Sequence, residues 1–411
     1  MKHIPIILTQ HVEDAAVLWE RRRRAVNAPH YNAMYLSRLD EQLEAHVDGL
    51  RIAGSAGWDQ AIAAFEDIQG GGEAFILSTL AFGHQDASLI PPLIELIKTD
   101  PKNFLSPAAS GIGWLHRSAL QGKVDPLLNS ADPVARGLGV GACAVHRVDP
   151  GARFAPFLDD VTGVKRRAVR LAGELGRADL LPQIQMLCDD ADGETAYWAA
   201  WSAVLLGDRG TALQRLLTTA LSGGPKAEHA LRTALPAMGF DAGCNWLNGQ
   251  PTTAETIAVK IIGYGILGDA GAVPWLITQM ADTGLAQIAG ESYAMITGAD
   301  LEEDDLVGDK PSDVPEMPND DPTDHNVSLE DNENLAWATP ELVAAHWQKV
   351  RSKFGQGAWF LGRSASLGAY QFGVTAGYQR QRRLGAFWAV HAAPTAQLPN
   401  WHLPSFPKWP T

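Results

Sequence analysis

The sequence predicts an all-α protein built as an α-solenoid, and three observations support this prediction. Residues 164–190 carry two short amphipathic helical patterns separated by Gly176. The same glycine-centred turn recurs at Gly207, Gly239 and Gly268, so successive glycines stand 31, 32 and 29 residues apart. Neither helix of such a pair can bury its apolar stripe alone, and a fixed period of about thirty residues is therefore typical of stacked helical hairpins.

The stretch 164–190 shows why each unit should be a helical hairpin. Its first part has apolar residues at spacings of four, three and four, on one helix face: Val164, Ala168, Leu171 and Leu175. Gly176 follows as a C-terminal cap, because glycine adopts the left-handed conformation at low cost. Pro182 then lies in the first turn of the next helix, where its missing N–H breaks no hydrogen bond. The pattern predicts a helix, a turn and a second helix.

Composition divides the chain into five parts. They are an N-terminal helical cap (1–72), a helical repeat array (73–299), an acidic flexible linker (300–335), a small helical C-terminal part (336–393) and a tail rich in proline and tryptophan (394–411). The linker should be disordered, since it combines dense negative charge with few large apolar side chains. The tail should be extended, and either packed on the surface or offered to a partner.

The charge distribution argues against nucleic acid as a partner. The net charge is −14, but residues 300–334 hold fourteen acidic residues and one lysine, which is −13. The remaining 33 acidic and 32 basic residues leave a nearly neutral body, unlike the basic footprint of a nucleic-acid binder. The apolar run at the N-terminus is too short for a signal peptide or a membrane span. Three scattered cysteines favour a reducing, cytoplasmic location.

The repeats resemble the HEAT-like repeats first named in bilin lyases. That resemblance is carried by the residues 164–168 and by 267–276, which read Val-Lys-Arg-Arg-Ala and Leu-Gly-Asp-Ala-Gly-Ala-Val-Pro-Trp-Leu. It identifies 73–299 as a HEAT-like array, and such arrays specify architecture well and function poorly.

A second resemblance concerns both ends of the chain. Gln10-His11, Ala28-Pro29, Leu39–His46 and Gly57-Trp58, together with Gly377–Arg383, are similar to an uncharacterised bacterial family often encoded beside type VI secretion spike and effector genes. The resemblance implies a genomic setting: an adaptor, effector-handling or immunity-like component of a type VI secretion locus, with an effector or spike protein as partner. It implies no chemistry, and the tail 394–411 departs from the family pattern.

The sequence contains no motif for catalysis. No two histidines are three to five residues apart, so there is no H-x-x-x-H metal pair, and there is no His-Glu dipeptide of the kind that HEAT-like di-iron hydroxylases use. A G-x-S-x-G elbow and a phosphate-binding loop are also absent from the sequence. We therefore predict a non-enzymatic interaction protein with no catalytic residue, metal or cofactor. An enzyme on the same scaffold, a lyase or a nucleic-acid repair protein, is the alternative.

Two sets of residues are candidate contacts for a partner protein. In HEAT arrays the second helix of each hairpin lines the concave side, which nominates Gln183, Gln185, Gln214, Arg215 and Gln279 unless they face the core. The basic clusters nominate Arg21, Arg22, Arg24, Arg380, Arg382 and Arg383. The acidic linker has two open uses: a plain spacer, or a mimic that lies across these basic groups until a partner displaces it.

Overall fold

The computed structural model describes residues 4–312, 314, 323, 332–393 and 396–404. Within these residues it contains 21 α-helices and one β-hairpin with two residues in each strand. The all-α prediction is therefore confirmed. The described residues divide into two compact units: 4–27, 31–206 and 396–404 form the first, and 28–30 with 207–312, 314, 323 and 332–393 form the second.

The first unit holds twelve of the helices. They are α1 (Pro5–Ala25), α2 (Ala33–Ala53), α3 (Ser55–Ile68), α4 (Gly71–Gly83), α5 (Ile90–Lys98), α6 (Pro101–Gly113), α7 (Val124–Leu128), α8 (Pro133–His146), α9 (Phe154–Phe157), α10 (Thr162–Leu175), α11 (Leu181–Met186) and α12 (Gly193–Leu205). The second unit holds α13 (Thr211–Leu221), α14 (Ala227–Met238), α15 (Phe240–Gly249), α16 (Ile257–Leu267), α17 (Val273–Gln279), α18 (Ala286–Thr297), α19 (Pro340–Val350), β1 (Trp359–Phe360), β2 (Arg363–Ser364), α20 (Leu367–Ala376) and α21 (Gln379–Ala392). Short 3-10 turns link several helices: Arg117–Leu120, Gly151–Arg153, Ala178–Leu180, Leu187–Asp189, Ala270–Ala272 and Arg351–Lys353.

From α4 onward, the even-numbered helices of the first unit pack on one another in succession. Helix α4 packs on α6, α6 on α8, α8 on α10 and α10 on α12, while α5, α7, α9 and α11 lie beside them as second helices. Small residues set the spacing of this ladder. At Gly173 of α10, an added Cβ would lie 2.6 Å from the Ser202 Oγ and 2.8 Å from the Ser202 Cα of α12. The helices can approach this closely because no side chain separates them.

The turn predicted from the sequence is confirmed in the hairpin of α10 and α11. Helix α10 ends at Leu175, and Gly176 follows in the left-handed conformation with φ 69°. Gly268 follows α16 in the same way with φ 73°. Pro182 lies in the first turn of α11, as its missing N–H requires. Each of these turns depends on residues close together in the sequence, so its glycine was enough to predict it.

The second unit has its own ladder and a terminal helical pair. Helices α14, α16 and α18 pack in succession, and α20 and α21 pack on each other, with α21 also against α14. The antiparallel strands β1 and β2 are joined to the ladder where the Trp359 amide donates to the Gly268 carbonyl at 2.9 Å. The Trp388 indole of α21 donates to the Ile266 carbonyl at 3.0 Å.

The acidic segment 300–335 is packed at both of its ends, in contrast to the flexible linker expected there. Leu301 and Leu306 are buried in the core of the second unit. The Gly308 amide donates to the Trp337 carbonyl at 2.8 Å, and the Thr339 amide donates to the Leu306 carbonyl at 2.9 Å. The apolar residues at the ends of the segment supply this burial. The linker prediction for 313, 315–322 and 324–331 lies outside the described residues.

No helix in the described part of the chain combines the length and the apolar character needed to cross a bilayer.

Candidate functional site

Residues 396–404, here called the C-terminal segment, lie against the first unit. Residues 397–400 form neither helix nor strand. Two side chains of the segment are buried: Leu398 is 2% exposed and Trp401 is 7% exposed. Two apolar side chains three residues apart therefore anchor an otherwise irregular peptide on the helices.

The main chain of the C-terminal segment is bonded at three points. The Leu398 amide donates to the Glu174 carbonyl at 2.9 Å, and the Leu398 carbonyl accepts from the Arg147 Nε at 3.3 Å. The His402 carbonyl accepts from the Arg22 Nη2 at 3.0 Å. Arg22 is itself held by the buried Asp40, with 2.5 Å between Nε and Oδ1. Contacts to main-chain atoms contribute affinity whatever the side chains are, and the two buried anchors supply the preference for this sequence.

Asn400 makes two side-chain hydrogen bonds. Its Nδ2 donates to the Val145 carbonyl at 2.8 Å, and its Oδ1 accepts from the His402 amide at 3.1 Å. The amide group thus uses its donor to dock the segment and its acceptor to shape the turn after it. An aspartate would keep only the acceptor. We call the surface formed by Arg22, Val145, Arg147 and Glu174 the tail-binding surface.

Helix ends supply the acceptors of the tail-binding surface. Val145 and Glu174 lie in the last turns of α8 and α10, where carbonyl groups lack a partner within the helix. The two residues are 29 positions apart, about one repeat. Successive hairpins therefore present unpaired carbonyls at equivalent places, and the C-terminal segment caps two of them.

Arg147 occupies the turn position that Gly176 holds after α10 and Gly268 holds after α16. It follows α8 in the left-handed conformation with φ 52°, and it lies 29 residues before Gly176. Its Nη1 donates to the Ala144 carbonyl at 2.6 Å and to Glu174 at 2.8 Å. A left-handed arginine costs conformational energy, and these bonds keep its guanidinium facing the C-terminal segment.

Three arginines surround the carboxylate of Glu174. The nitrogen-to-oxygen distances are 2.8 Å for Arg147, 3.1 Å for Arg167 and 2.9 Å for Arg170. Burial acts to raise the pKa of Glu174, but the charges of Arg167, Arg147 and Arg170 outweigh it and lower that pKa to about 2. The Arg170 guanidinium also lies over the Trp198 ring, 4.4 Å from its centroid. We call Arg147, Arg167 and Arg170 the arginine cluster.

The arginine cluster carries more positive charge than its carboxylate neutralises. Three guanidinium groups face one carboxylate, which is +3 − 1 = +2. The Arg167 Nη1 is buried, and the described residues offer it no hydrogen-bond acceptor. The pKa of Arg167 is lowered to about 10, because burial and the repulsion from Arg170 and Arg147 together outweigh the opposing attraction of Glu174. Within the cluster, the Arg167 Nη1 is thus desolvated and unpaired among the described residues, while Arg170 stays partly exposed.

The structure brings one residue from the nominated basic set into the tail-binding surface, namely Arg22. Arg21 and Arg24 of the same helix are exposed, and Arg24 pairs with Glu20 at 3.3 Å. The residues nominated on second helices occupy other places. Gln183 and Gln185 are exposed on α11, Gln214 and Arg215 are exposed on α13, and Gln279 is half-buried on α17.

The basic residues of α21 take part in bonds inside the second unit. Arg380 is buried and donates to Glu291 at 3.0 Å and to the Asn332 Oδ1 at 3.1 Å. Arg382 donates to the Val374 carbonyl at 2.8 Å, and Arg383 is half-buried. Arg382 thus connects α21 to α20, and Arg380 connects α21 to Glu291 of α18 and to Asn332.

Sequence reasoning missed Arg147, Glu174, Leu398 and Asn400. A weak signal existed for Arg147, since its position repeats the turn spacing, but it lacks the glycine that marks the other turns. In the described part of the chain no three His, Cys, Asp or Glu side chains are grouped as metal ligands. No cysteine of the described residues forms a disulfide, and Cys143 and Cys188 are buried.

Comparison with known proteins adds no relative to this geometry. No family model, no curated protein and no solved structure matches the chain.

Proposed function

We propose that this chain is a non-enzymatic scaffold of HEAT-like solenoid segments that binds an extended segment of a partner protein on its tail-binding surface. The observation that carries the proposal is the docking of the C-terminal segment, which is held by main-chain bonds at Leu398 and His402 and by two buried anchors. A surface that binds one extended peptide in this way has the chemistry to bind another.

The stacked first helices support the solenoid part of the proposal. Each unit has alternate helices packed in succession, as helical repeats do. The resemblance at the two ends of the chain suggests the biological setting: a type VI secretion locus, in which the chain would serve as an adaptor, effector-handling or immunity-like protein of the cytoplasm. Under this proposal, the C-terminal segment occupies the tail-binding surface until a partner replaces it.

The proposal is tested by peptide binding to a full-length chain whose own segment is released. Leu398→Ala with Trp401→Ala removes both buried anchors and leaves the helices unaltered. A fluorescent peptide of residues 396–404 should then bind this variant saturably, as read by anisotropy, and should bind the unaltered chain at least about tenfold more weakly.

Two controls make the result specific. The same peptide with Asn400→Asp should bind more weakly, because it loses the donor to the Val145 carbonyl. A peptide of scrambled sequence should not bind. Absence of saturable binding to the released variant would overturn the proposed function.

A further inference from the structure

The arginine cluster borders the tail-binding surface at Leu398. Arg147 belongs to both, since its Nη1 pairs with the Glu174 carboxylate while its Nε donates to the Leu398 carbonyl. Glu174 also belongs to both, through its side chain and its main-chain carbonyl. A peptide bound at the Leu398 position is therefore next to the unneutralised positive charge.

The C-terminal segment supplies no negative charge to this place. Ala396, Gln397, Pro399 and Asn400 flank Leu398, and all four are neutral. The cluster keeps its excess of two charges while the segment is docked, and Arg167 Nη1 keeps no acceptor among the described residues. The chain's own segment thus provides the apolar anchors and the main-chain hydrogen bonds, but it brings no negative charge to neutralise the arginine cluster.

A ligand can reach the cluster from solvent. The Arg170 side chain is 37% exposed and the Arg167 side chain is 26% exposed, whereas Glu174 is 1% exposed. Arginine presents several N–H groups in a fixed plane, and a second carboxylate can pair with such groups in a bidentate way. Such a carboxylate would supply an acceptor for the exposed N–H groups of Arg170, whose Nε pairs with Glu174.

We propose that the partner's segment is an acidic peptide, with an Asp or Glu within two residues of the apolar side chain that takes the place of Leu398. This inference rests on the proposed function and names its ligand class. The neutral C-terminal segment is then a weaker placeholder, and an acidic partner displaces it because the partner neutralises the arginine cluster as well. The advantage is electrostatic, so added salt should reduce it over a Debye length of about 8 Å at physiological ionic strength.

Two peptides that differ at one position test the inference. The peptide of residues 396–404 and the same peptide with Gln397→Glu are titrated into the full chain carrying Leu398→Ala and Trp401→Ala. The acidic peptide should bind about tenfold more tightly at low salt, and the ratio should approach one at high salt. Equal affinities at low salt would overturn the inference. If neither peptide binds, the proposed function itself is rejected.

A matched pair of variants locates the effect. In the released chain, Arg170→Gln should remove most of the preference for the acidic peptide. Lys165→Gln is the control on the same helix, since Lys165 pairs with Asp190 at 2.6 Å and not with Glu174. The preference should survive this control, and its loss in both variants would show that general positive charge, not the arginine cluster, selects the peptide.

A variant of the intact protein tests the inference without release of the segment. Gln397→Glu in the otherwise unaltered chain should slow hydrogen exchange of the Leu398 amide, which donates to the Glu174 carbonyl. Arg170→Gln should abolish the slowing. An exchange rate that does not change on introducing Gln397→Glu would contradict the inference even if the released variant failed to fold.

Discussion

Glu174 connects the folded core with the tail-binding surface through two different groups. Its carboxylate is paired with three arginines and its main-chain carbonyl accepts the Leu398 amide. Removal of a buried charge partner is costly because it leaves the remaining charges without compensation. The residue therefore controls both the stability of the first unit and the position of the groups that hold the C-terminal segment.

Glu174→Gln should destabilise the first unit, and the loss should depend on pH. The pKa of Glu174 is lowered from 4.5 to about 2 in the folded chain, a difference equivalent to roughly 3 kcal/mol of stability. Because the folded pKa lies below the unfolded one, this contribution is complete above pH 4.5 and disappears as pH falls towards 2.

Hydrogen exchange of α10 amides across denaturant concentrations measures this contribution. The unaltered chain and the Glu174→Gln variant should differ most at neutral pH and converge between about pH 4 and pH 2. Glu228→Gln is the control in the second unit, since the pKa of Glu228 is also lowered to about 2. It should leave exchange in α10 unchanged. A constant difference at every pH would show that Glu174 acts through packing alone.

Single residues also show what the sequence could not reveal. Gly176 announced its turn because glycine is the residue that tolerates a left-handed conformation. Arg147 takes the same left-handed conformation although it is not a glycine. Its side chain bonds Glu174 and also Leu398, which is 251 residues away along the chain. No local pattern carries a contact of that kind.

At the scale of elements, the contact between α10 and α12 depends on a glycine that faces a serine. Gly173→Ala should destabilise the first unit by about 1–3 kcal/mol, because the new methyl group would meet the Ser202 main chain at 2.8 Å and force the helices apart. Gly163→Ala on the same helix is the matched control, since nothing lies within 4 Å of its added Cβ.

Thermal unfolding distinguishes the two glycine substitutions. The control should be neutral or stabilising, because alanine favours a helix over glycine by about 1 kcal/mol. If Gly173→Ala melts like Gly163→Ala, the close stacking of the first helices is wrong. The spacing of apolar residues predicted the helices. It could not show that Gly173 makes a close helix contact while Gly163 of the same helix makes none.

The C-terminal segment contains a natural pair of leucines that differ in burial. Leu398 is 2% exposed and Leu403 is 41% exposed. Leu398→Ala should release the segment, at a cost of about 2 kcal/mol for the lost burial, while Leu403→Ala should leave it docked. Limited proteolysis or exchange of amides in 396–404 measures the release. Equal effects of the two substitutions would contradict the described docking.

At the scale of the whole molecule, the first unit is assembled from both ends of the chain. Residues 4–27 and 31–206 precede the second unit, and 396–404 follow it. The C-terminal segment is therefore tethered to its own binding surface, and a tethered peptide competes at an effective concentration of about 1 mM when the tether spans the distance. An untethered partner must bind more tightly, and the acidic residue proposed above supplies the means.

The helical class and the turns at Gly176 and Gly268 were predictable because they arise from patterns within about thirty residues. The tail-binding surface was not, since it joins Arg22, Glu174 and Leu398 from distant parts of the chain. The second helices were nominated because they line the concave side of HEAT arrays, and that nomination stays a prediction. The C-terminal segment contacts the ends of the first helices α8 and α10.

The most direct test of the central claim is displacement of the C-terminal segment in the unaltered chain. Hydrogen exchange of amides in 396–404 is measured while an untethered peptide of the same sequence is added. The account predicts faster exchange in that segment, half complete at about 1 mM peptide, with protection retained elsewhere in α8 and α10. Exchange in the segment that does not respond to the peptide at concentrations well above this value would contradict the claim that the segment occupies a peptide-binding surface.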